Sequence, residues 1–566
     1  MKGNGVSVTN DRLVRSLNII DGPERERSRL VKRAVPHDSR DLTELYPTLG
    51  QHALVRKLGE YTVLFDAVSD RVMKISSFIA PILEQCDGTL DFAALDTMAR
   101  HPELNLQTAD LMHFFERLQT LGVLQLRTRK RKQAARILLV NPPLPFPRSR
   151  YAYQNVYPPL GLMYLAGQLI PEGFHVEILD MALEDMSPAA LSAWLSDHRE
   201  PWDLIGISLN MTCSAERAER TARNIRDVLP DVPIVMGGNH VTMTYSEVLK
   251  SGICDFVCLG ASERTLTELC CAFFHKEGEL RDVHGLAYMR QGAIERTSPV
   301  RVSKVIKEVY FPAYHLLPLD RYDIHNRVPI ITSTGCPYDC RYCSTVKFNG
   351  RRVSYFAADR VISDIKRLMK EHGYSGFNFM DDAFTFNRKR ITEICQRIID
   401  EKLDIEWTCN TRVDMVSPEL LQIMARAGCI GIFFGIESTD EVVLQRIRKR
   451  VDVEQIRNAV GWARAAGIKV RQSFIVGLPG DNDETLAGIR SFVEETEPDE
   501  VQISMLTLYP GTEMAEQPES FGLKIHPRRW EEYNINLPHA STDTMSCDEI
   551  LNSYLDMRLA LAEMAS

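Results

Sequence analysis

The sequence TSTGCPYDCRYCS, residues 332–344, carries three cysteines at a C-x3-C-x2-C spacing. Thiolates this close together can surround one inorganic core. Iron-sulfur cubanes are normally held by four cysteine thiolates, so three would leave one iron open to another ligand. A structural zinc site needs a further nitrogen or sulfur donor, and the first candidate downstream is His372. The spacing therefore favours a 4Fe-4S cluster on Cys336, Cys340 and Cys343, and leaves zinc open only with a distant donor.

The cysteine motif follows the first of six apolar runs that alternate with helical stretches between positions 325 and 511. The runs are expected to end near Thr334, Asp381, Asn410, Glu437, Gly477 and Leu508. One of the intervening helices is predicted to run from Asp359, as its N-cap, to Gly373, with its apolar residues on one face. Six strand and helix units predict a partial (β/α)6 barrel, with the cysteine loop after its first strand.

A C-x3-C-x2-C motif on the first loop of such a barrel resembles the radical S-adenosylmethionine (SAM) superfamily. The resemblance implies that SAM chelates the open iron and is cleaved, after one-electron reduction, to methionine and a 5′-deoxyadenosyl radical. It also implies that SAM is bound by Tyr342, Asp381, Asp382, Arg412, Glu437, Gly477, Leu478 and Pro479. No catalytic side chain is assigned, because the radical forms at cluster-bound SAM.

Two of these assignments have plain structural alternatives. Asp381 and Asp382 follow a predicted strand, where a carboxylate often caps the next helix. Arg412 suits the carboxylate of SAM, because a guanidinium group matches planar oxyanions, but an arginine at a strand end also forms surface ion pairs. The sequence leaves both alternatives open.

A second alternation of strands and helices lies upstream, between positions 134 and 297. Its apolar runs are RILLVNPP, HVEILDM, LIGISLN, PIVMGGNH and FVCLG. Five such runs separated by helices predict a Rossmann-like, doubly wound parallel sheet, in which ligands bind at the carboxyl ends of the strands. A dinucleotide site would need G-x-G-x-x-G at the first turn. That turn is NPPLPFP, without glycine, so a dinucleotide site is set aside.

The order of motifs in this sheet, from ARILLVNPP through YPPLGLMYLAGQL to IVMGGNHVT and GASE, resembles the cobalamin-binding domain fused to one large class of radical SAM enzymes. The resemblance implies a cobalamin site formed by Pro142, Pro143, Leu160, Gly161, Ser208, Gly237, Gly238, Asn239, His240, Thr242, Gly260 and Glu263. Asn239 replaces the usual proline before the histidine, and GASE replaces GEGE. Neither change removes a group with obligatory chemistry.

The histidine that serves as the lower cobalt ligand in mutase-type cobalamin domains has no counterpart in this pattern. That histidine belongs to a D-x-H-x-x-G motif, and the segment DVHGLA at 282–287 ends in alanine and follows the fifth strand. The resemblance implies a cobalamin without a histidine lower ligand. His240 is expected to be a hydrogen-bonding loop residue near the corrin ring and not a cobalt ligand.

The N-terminal region is expected to form a flexible arm, residues 1–45, and a small module, residues 46–127. Short strands are predicted at Tyr61–Phe65 and Arg71–Ile75, with helices after them. The segments VLFDAVSDRVMKIS, LEQCDGTLDF and FFERLQTLGVLQL resemble the PqqD-like fold, a winged-helix module that grips a leader peptide in peptide-modifying enzymes. A structural cap of similar shape is the alternative.

Composition restricts the classes of function. The 566 residues carry a formal charge of −9 and one basic run, at 127–132, so the sequence does not favour binding to nucleic acid. No apolar stretch has the length of a membrane span, and the first thirty residues lack a secretion signal. Thirteen cysteines without a disulfide pattern are typical of a cytoplasmic protein. The last segment, 512–566, is expected to be a helical extension.

The resemblances together predict a multidomain α/β enzyme of the class B radical SAM methyltransferase type. The leading hypothesis is methylation of an unactivated carbon, with one SAM as methyl donor, another as radical source, and a ribosomally made peptide as substrate. A radical rearrangement or cyclisation of a small molecule or tetrapyrrole stays open, because it uses the same cofactors. A reductant such as flavodoxin or ferredoxin is the expected partner. A cobalamin-sensing DNA-binding regulator is the remote alternative.

Overall fold

A computed structural model of the chain divides into two compact units, Met1–Ala134 and Ala135–Ser566. In the first unit the structure describes six strands and five single positions. In the second it describes residues 135–144, 157–197, 201–300, 303–306, 309–324 and 326–564. The division falls where the N-terminal module and the first parallel sheet are expected to meet.

The first unit contains antiparallel sheets. A four-stranded sheet has the order Asn18–Ile19, Arg71–Ile75, Tyr61–Asp66, Ala53–Leu58, and Leu45–Leu49 pairs with Leu124–Thr128. The two predicted strands are therefore confirmed, and the expected arm contributes a short strand at Asn18–Ile19. The helices predicted after these strands, and with them the winged-helix shape, lie outside the described residues.

The second unit begins with a seven-stranded sheet. Its strands are β1 (Arg136–Asn141), β2 (His175–Asp180), β3 (Leu204–Ser208), β4 (Ile234–Gly237), β5 (Phe256–Cys258), β6 (Leu286–Arg290) and β7 (Ala293–Arg296), in the order β7-β6-β5-β4-β3-β1-β2. Strands β1 to β5 are parallel and match the predicted runs, whereas β6 and β7 add an antiparallel hairpin that the sequence analysis does not predict. The strand order reverses at β1, so the ligand crevice of such a sheet opens at the carboxyl ends of β1 and β3.

Helices cover both faces of this sheet. They are Leu160–Leu169, Pro188–Asp197, Ala215–Val228, Asn239–Lys250 and Glu263–Cys270. The middle of β1 is buried without alternation, as expected for a parallel strand covered on two sides. Leu138 enters one apolar core and Leu139 enters the other.

A six-stranded parallel sheet follows in sequential order. Its strands are β8 (Arg327–Ile330), β9 (Gly376–Phe379), β10 (Glu406–Thr411), β11 (Cys429–Glu437), β12 (Lys469–Val476) and β13 (Glu500–Met505). This order, with helices between the strands, is that of the predicted partial barrel. The first strand ends at Ile330 and not near Thr334, because Ser333–Thr334 turns away to pair antiparallel with Ser354–Tyr355.

The main helices of the barrel begin and end at recognisable residues. They are Ala358–His372, Arg388–Asp400, Pro418–Arg426, Glu441–Arg446, Val453–Ala465 and Asp483–Thr496. The side chains of Asn387 and Ser417 accept hydrogen bonds from first-turn amides and so cap two of them. The prediction of Asp359 as an N-cap is wrong, because Asp359 lies inside the first turn, where a carboxylate favours the helix dipole without capping it. Gly373 ends that helix in the left-handed conformation, as predicted.

The tail after position 512 packs onto the barrel. It contains a short hairpin, Lys524–Ile525 with Ala540–Ser541, and a final helix, Cys547–Met564, which contacts β13. Ile550 and Met557 of this tail helix are buried in the barrel core. Across the part of the chain that the structure describes, no helix has the length and apolar character needed to cross a bilayer.

Candidate functional site

The cysteine loop lies at the carboxyl edge of the six-stranded sheet. Cys336, Cys340 and Cys343 are all half-buried. The amide of Cys343 donates a hydrogen bond of 3.1 Å to the carbonyl of Cys340, which closes the second half of the loop. Gly335 has a φ of 87°, and a side chain there would collide with the carbonyl of Arg352. The loop therefore starts from a backbone position that only glycine fits.

Asp382 fastens both ends of the cysteine loop. Its carboxylate accepts a hydrogen bond of 2.7 Å from the amide of Gly335 and one of 3.3 Å from Oγ1 of Thr345. Burial raises the pKa of this carboxyl group, and the two hydrogen bonds oppose that shift. The residue predicted to bind SAM thus also shapes the loop that carries the cysteines.

The carboxylate of Asp381 is hydrogen-bonded to the residues that follow the first barrel strand. Asp381 is 1% exposed, and its carboxylate accepts hydrogen bonds of 2.6 Å from the amide and Oγ1 of Thr332 and from Oγ of Ser333. Since a carboxylate has about four lone-pair sites, these bonds use most of its capacity. The helix that follows is capped by Asn387. Neither acid of the pair is therefore the helix cap considered from the sequence.

Arg412 lies against the cysteine loop inside the protein. Its guanidinium group pairs with Asp414 at 2.9 Å and donates a hydrogen bond of 2.6 Å to the carbonyl of Lys449. It also stacks 3.6 Å from the centre of the Tyr338 ring, and its Nη1 lies 3.6 Å from Sγ of Cys340. At 6% exposure it is not a surface ion pair. The structure instead directs this cation at a cysteine sulfur.

A buried ion pair lies at the mouth of the barrel. Glu437 ends β11, and its Oε1 is 2.7 Å from Nζ of Lys449, with exposures of 7% and 4%. The hydroxyl of Tyr342 lies 3.4 Å from the same Nζ and links the pair to the cysteine loop. Glu437 has a φ of 74°, which is uncommon for a residue other than glycine. Lys449 was not predicted as a site residue, because a lysine within the charged run RIRKRV has no distinguishing pattern.

Gly477, Leu478 and Pro479 lie at the carboxyl end of β12, beside the tail helix. Ile550 of that helix lies 3.1 Å from the place a side chain on Gly477 would take. Asp481 accepts a hydrogen bond of 2.8 Å from the amide of Leu478, and burial raises the pKa of Asp481 to about 7. The loop is at the same edge of the sheet as the cysteines, and the tail covers it.

The loops at the carboxyl edge of the seven-stranded sheet are joined by neutral groups. The amide of Asn239 donates a hydrogen bond of 3.3 Å to Oδ1 of Asn210. Oγ1 of Thr242 donates to the carbonyl of Gly238 at 2.8 Å and accepts from the amide of Gly260 at 3.1 Å. Thr242 therefore holds the loops after β4 and β5 together.

The other residues predicted to bind cobalamin lie along the same edge. They are Pro142, Pro143, Leu160, Gly161, Ser208, Gly237 and Glu263. Burial raises the pKa of Glu263, which favours its uncharged form. Together with the amide and hydroxyl groups of the loops, these residues give the crevice a mostly neutral lining.

His240 is buried behind this edge. It is 5% exposed, its Nδ1 lies 3.1 Å from Oγ1 of Thr212, and its ring meets that of Trp530 edge-on at 5.1 Å. Burial lowers the pKa of His240 to about 4. The side chain is thus a neutral hydrogen-bonding group. Its partner Thr212 and the tail residue Trp530 were not predicted from the sequence, because both lie far from His240 in the chain.

The residues present fit the groups that the sequence suggests. Three thiols beside a guanidinium donor suit an iron-sulfur cluster, in which each thiolate binds a different iron. His372, the first further zinc donor downstream in the sequence, ends the helix that leads to the amino end of β9 and so lies at the opposite edge of the sheet. The zinc alternative therefore has no support from His372. The neutral crevice suits a large macrocycle with amide side chains.

Comparison with known proteins gives matches over both sheets. The B12 binding domain family matches residues 152–270, and the Radical SAM superfamily matches residues 330–493. An uncharacterised methyltransferase of Pyrococcus horikoshii is 32% identical over 420 residues, which cover 73% of this chain and 90% of the relative. An anaerobic magnesium-protoporphyrin IX monomethyl ester cyclase of Rubrivivax gelatinosus is 28% identical over 409 residues, or 70% of this chain and 72% of the relative.

A solved structure shares the fold. A radical SAM methyltransferase from Kitasatospora setae, with cobalamin and a 4Fe-4S cluster bound, superposes with a TM-score of 0.59 at 19% identity. The match covers 70% of this chain and 78% of that chain. At this identity the likeness concerns the arrangement of the two sheets.

Proposed function

We propose, because this chain belongs to the family of cobalamin-dependent radical SAM methyltransferases, that it methylates an unactivated carbon. The observation that carries the proposal is the pair of matched domains together with a relative, named a methyltransferase, that is matched over 90% of its length. When bound, the cluster supplies the electron that cleaves SAM, and cobalamin carries the methyl group. The chain's own residues hold these groups in register and exclude water.

The cluster is assigned to Cys336, Cys340 and Cys343. Asp382 accepts hydrogen bonds from Gly335 and Thr345, which lie on either side of the three cysteines. The guanidinium group of Arg412 points at the sulfur of Cys340, with its Nη1 at 3.6 Å. These neighbours support a loop that is shaped before it receives its cofactor.

The pair Glu437 and Lys449 is assigned to the amino-acid end of SAM. That end carries one ammonium and one carboxylate group, which match a buried carboxylate and a buried ammonium at 2.7 Å. Because both side chains are almost fully buried, their charges act with little screening by water. Tyr342 connects this pair to the cysteine loop, which keeps the proposed SAM site next to the proposed cluster site.

Cobalamin is assigned to the neutral edge of the seven-stranded sheet. Asn210, Asn239 and Thr242 supply amide and hydroxyl groups there, and Gly238 and Gly260 keep the backbone within reach of a flat ring. The buried His240 is turned toward Thr212, which supports a cobalamin without a histidine lower ligand.

A ribosomally made peptide is the proposed substrate class, and the first unit is the proposed module that binds it. The resemblance of three N-terminal segments to a PqqD-like module supports this. Ala53–Leu58 forms the edge of the four-stranded sheet in the described part of that unit, and a sheet edge can accept an extended peptide as an added strand. The proposed electron source is a one-electron carrier such as flavodoxin or ferredoxin.

The reaction is tested by anaerobic reconstitution with iron, sulfide and cobalamin, then incubation with SAM, reductant and candidate substrates. Sustained formation of both S-adenosylhomocysteine and 5′-deoxyadenosine is the expected result, because methyl transfer consumes one SAM as donor and another as radical source. Formation of 5′-deoxyadenosine without sustained formation of S-adenosylhomocysteine would favour the second candidate, ring closure without methyl transfer. The Rubrivivax gelatinosus relative is named for such a cyclase activity. If neither product forms, the proposed chemistry is contradicted altogether.

The peptide assignment is tested by deleting residues 1–126. Since the compact units divide after Ala134, the shortened enzyme should keep its iron and cobalamin content but bind a precursor peptide more weakly. Fluorescence anisotropy with a labelled leader peptide measures the binding. Unchanged binding and modification by the shortened enzyme would remove the first unit from substrate recognition.

A further inference from the structure

The exposed side of the cysteine loop carries three arginines around one carboxylate. Asp339 is 6% exposed, and its carboxylate pairs with Arg351 at 2.8 Å, with Arg448 at 3.2 Å and with Arg450 at 2.8 Å. We call Arg351, Arg448 and Arg450 the arginine triad. Arg448 also pairs with Glu513 at 3.2 Å, and Arg341 pairs with Glu513 at 3.4 Å. Four guanidinium groups thus share two carboxylates, so the cluster around the triad keeps a net positive charge.

All three members of the triad adopt the left-handed backbone conformation. Their φ angles are 57°, 57° and 56°. This region is sparsely used by residues other than glycine and costs conformational energy. The three come from two separate segments, one after the helix Thr345–Asn349 and one after the helix Glu441–Arg446.

The charges of the triad reach the surface. The side chains of Arg351 and Arg450 are 55% and 56% exposed, and that of Arg448 is 28% exposed. A hollow of about 530 Å³ beside Arg448 and Arg450 is also lined by two acidic residues, Glu441 and Asp452. The whole chain has a formal charge of −9. A positive surface on an acidic protein steers a negatively charged partner to one place.

The triad is next to the residues proposed to hold the cluster. Asp339 directly precedes Cys340, and Arg448 and Arg450 flank Lys449, whose carbonyl accepts a hydrogen bond from Arg412. Arg412 in turn lies 3.6 Å from the sulfur of Cys340. A protein bound at the triad would therefore sit over the cysteine loop, where the path for an electron is short.

We propose that the arginine triad is the docking surface for an acidic one-electron carrier protein of the flavodoxin type. The proposal rests on the proposed function, which needs such an electron. One electron leaves the carrier, which is oxidised by one electron, and enters the cluster, which is reduced by one; no bond is made or broken in this step. Redox partners meet through small interfaces, and complementary charge sets their rate of encounter.

The test removes charge without disturbing the backbone. In the double variant Arg351→Asn with Arg450→Asn, asparagine is chosen because it tolerates the left-handed conformation better than most residues. Arg448 is kept because it also pairs with Glu513. The matched control is Lys402→Asn, an exposed cation with a φ of 51° in the loop before β10, at the opposite edge of the barrel.

Two rates are measured on the reconstituted full-length enzyme. The first is the oxidation of flavodoxin hydroquinone by the enzyme, followed anaerobically by absorbance without SAM or substrate. The second is reduction of the enzyme by photoreduced deazariboflavin, a small uncharged donor. The double variant should oxidise flavodoxin about tenfold more slowly at low ionic strength, and the deficit should shrink as salt screens the charges. Reduction by deazariboflavin and both rates of Lys402→Asn should be unchanged.

Two results would overturn the proposal. An equal loss with flavodoxin and deazariboflavin would assign the triad to the integrity of the cysteine loop, and unchanged rates with both donors would assign it no part in electron delivery. Flavodoxin oxidation is measured without SAM, so it tests docking separately from the reaction. If the enzyme oxidises flavodoxin at a normal rate but makes no 5′-deoxyadenosine, the proposed function is contradicted and the docking proposal is not.

Discussion

The two carboxyl edges of the second unit are built from different chemistry. At the six-stranded sheet, the central groups are a buried ammonium and a buried carboxylate, Lys449 and Glu437. At the seven-stranded sheet they are an amide, a hydroxyl and an uncharged imidazole, on Asn210, Thr242 and His240. The same arrangement of parallel strands thus presents paired charges at one edge and neutral hydrogen bonds at the other.

The difference has an energetic meaning. Buried charges are costly unless each has a partner, so a charged site depends strongly on every member of the pair. Neutral hydrogen bonds contribute about 1 kcal/mol each, so a site made of them depends more on shape. A small, charged ligand such as SAM suits the first edge, and a large macrocycle suits the second. Substitutions should therefore have larger effects at the barrel edge than at the edge of the other sheet.

The largest effect is expected for Cys340→Ala. Loss of one of three proposed ligands should prevent cluster assembly, so that iron and sulfide content and 5′-deoxyadenosine formation fall to background. Cobalamin binding, measured by absorbance after gel filtration, should stay, because it belongs to the other edge. Cys547→Ala, at another half-buried cysteine in the tail helix, should keep its iron. Full iron content in Cys340→Ala would contradict the assignment.

The next largest effect is expected for the buried pair. Lys449→Met and Glu437→Gln should each destabilise the second unit by about 3 to 5 kcal/mol, since each leaves the other charge buried without a partner. The double variant should lose clearly less than the sum, because no unpaired charge is left. Guanidinium unfolding followed by intrinsic fluorescence measures the three values. Additive losses would show that the two side chains do not act as a pair.

Most of the features that could be predicted from the sequence depend on local patterns. The spacing of Cys336, Cys340 and Cys343 and the alternation of apolar runs are visible within short windows, and the strands follow them closely. The hairpin β6 and β7 was not predicted, because β7 has no buried face to give it a pattern. Lys449 and the arginine triad could not be recognised, since their roles depend on partners that only folding brings near.

A smaller, pH-dependent effect is expected at Asp481, beside the Leu478 amide. Burial raises the pKa of Asp481 from 3.8 to about 7, so between these values the folded chain keeps a proton that the unfolded chain has lost. Stability should therefore fall as pH rises through this window, by about 1.4 kcal/mol per pH unit from this group. In Asp481→Asn the side chain is neutral at every pH and can still accept the amide hydrogen bond.

The measurement is the thermal midpoint of Asp481→Asn and of the unsubstituted protein from pH 5 to pH 8. The advantage of the variant should grow with pH and level off above about pH 7. Asp483→Asn, at an exposed position in the first turn of the next helix, is the control and should show no such growth. A constant difference between Asp481→Asn and the unsubstituted protein would mean that the carboxyl group titrates alike in the folded and unfolded chains.

The smallest effect is expected at the neutral edge, for Gly238→Ala. Gly238 has a φ of 114°, and a side chain there would lie 2.6 Å from the carbonyl oxygen of Leu209, so the change should cost about 1 to 3 kcal/mol of strain. The cobalamin affinity should fall, because the loop must shift at the proposed ring surface. Gly161→Ala, at the same edge but with no atom within 4 Å of the new carbon, should keep its stability. Iron content and 5′-deoxyadenosine formation should be normal in both variants. Cys340→Ala would then lose iron but keep cobalamin binding, and Gly238→Ala would lose cobalamin affinity but keep iron, so the two edges would act independently. A loss of iron in Gly238→Ala would show that the edges are coupled.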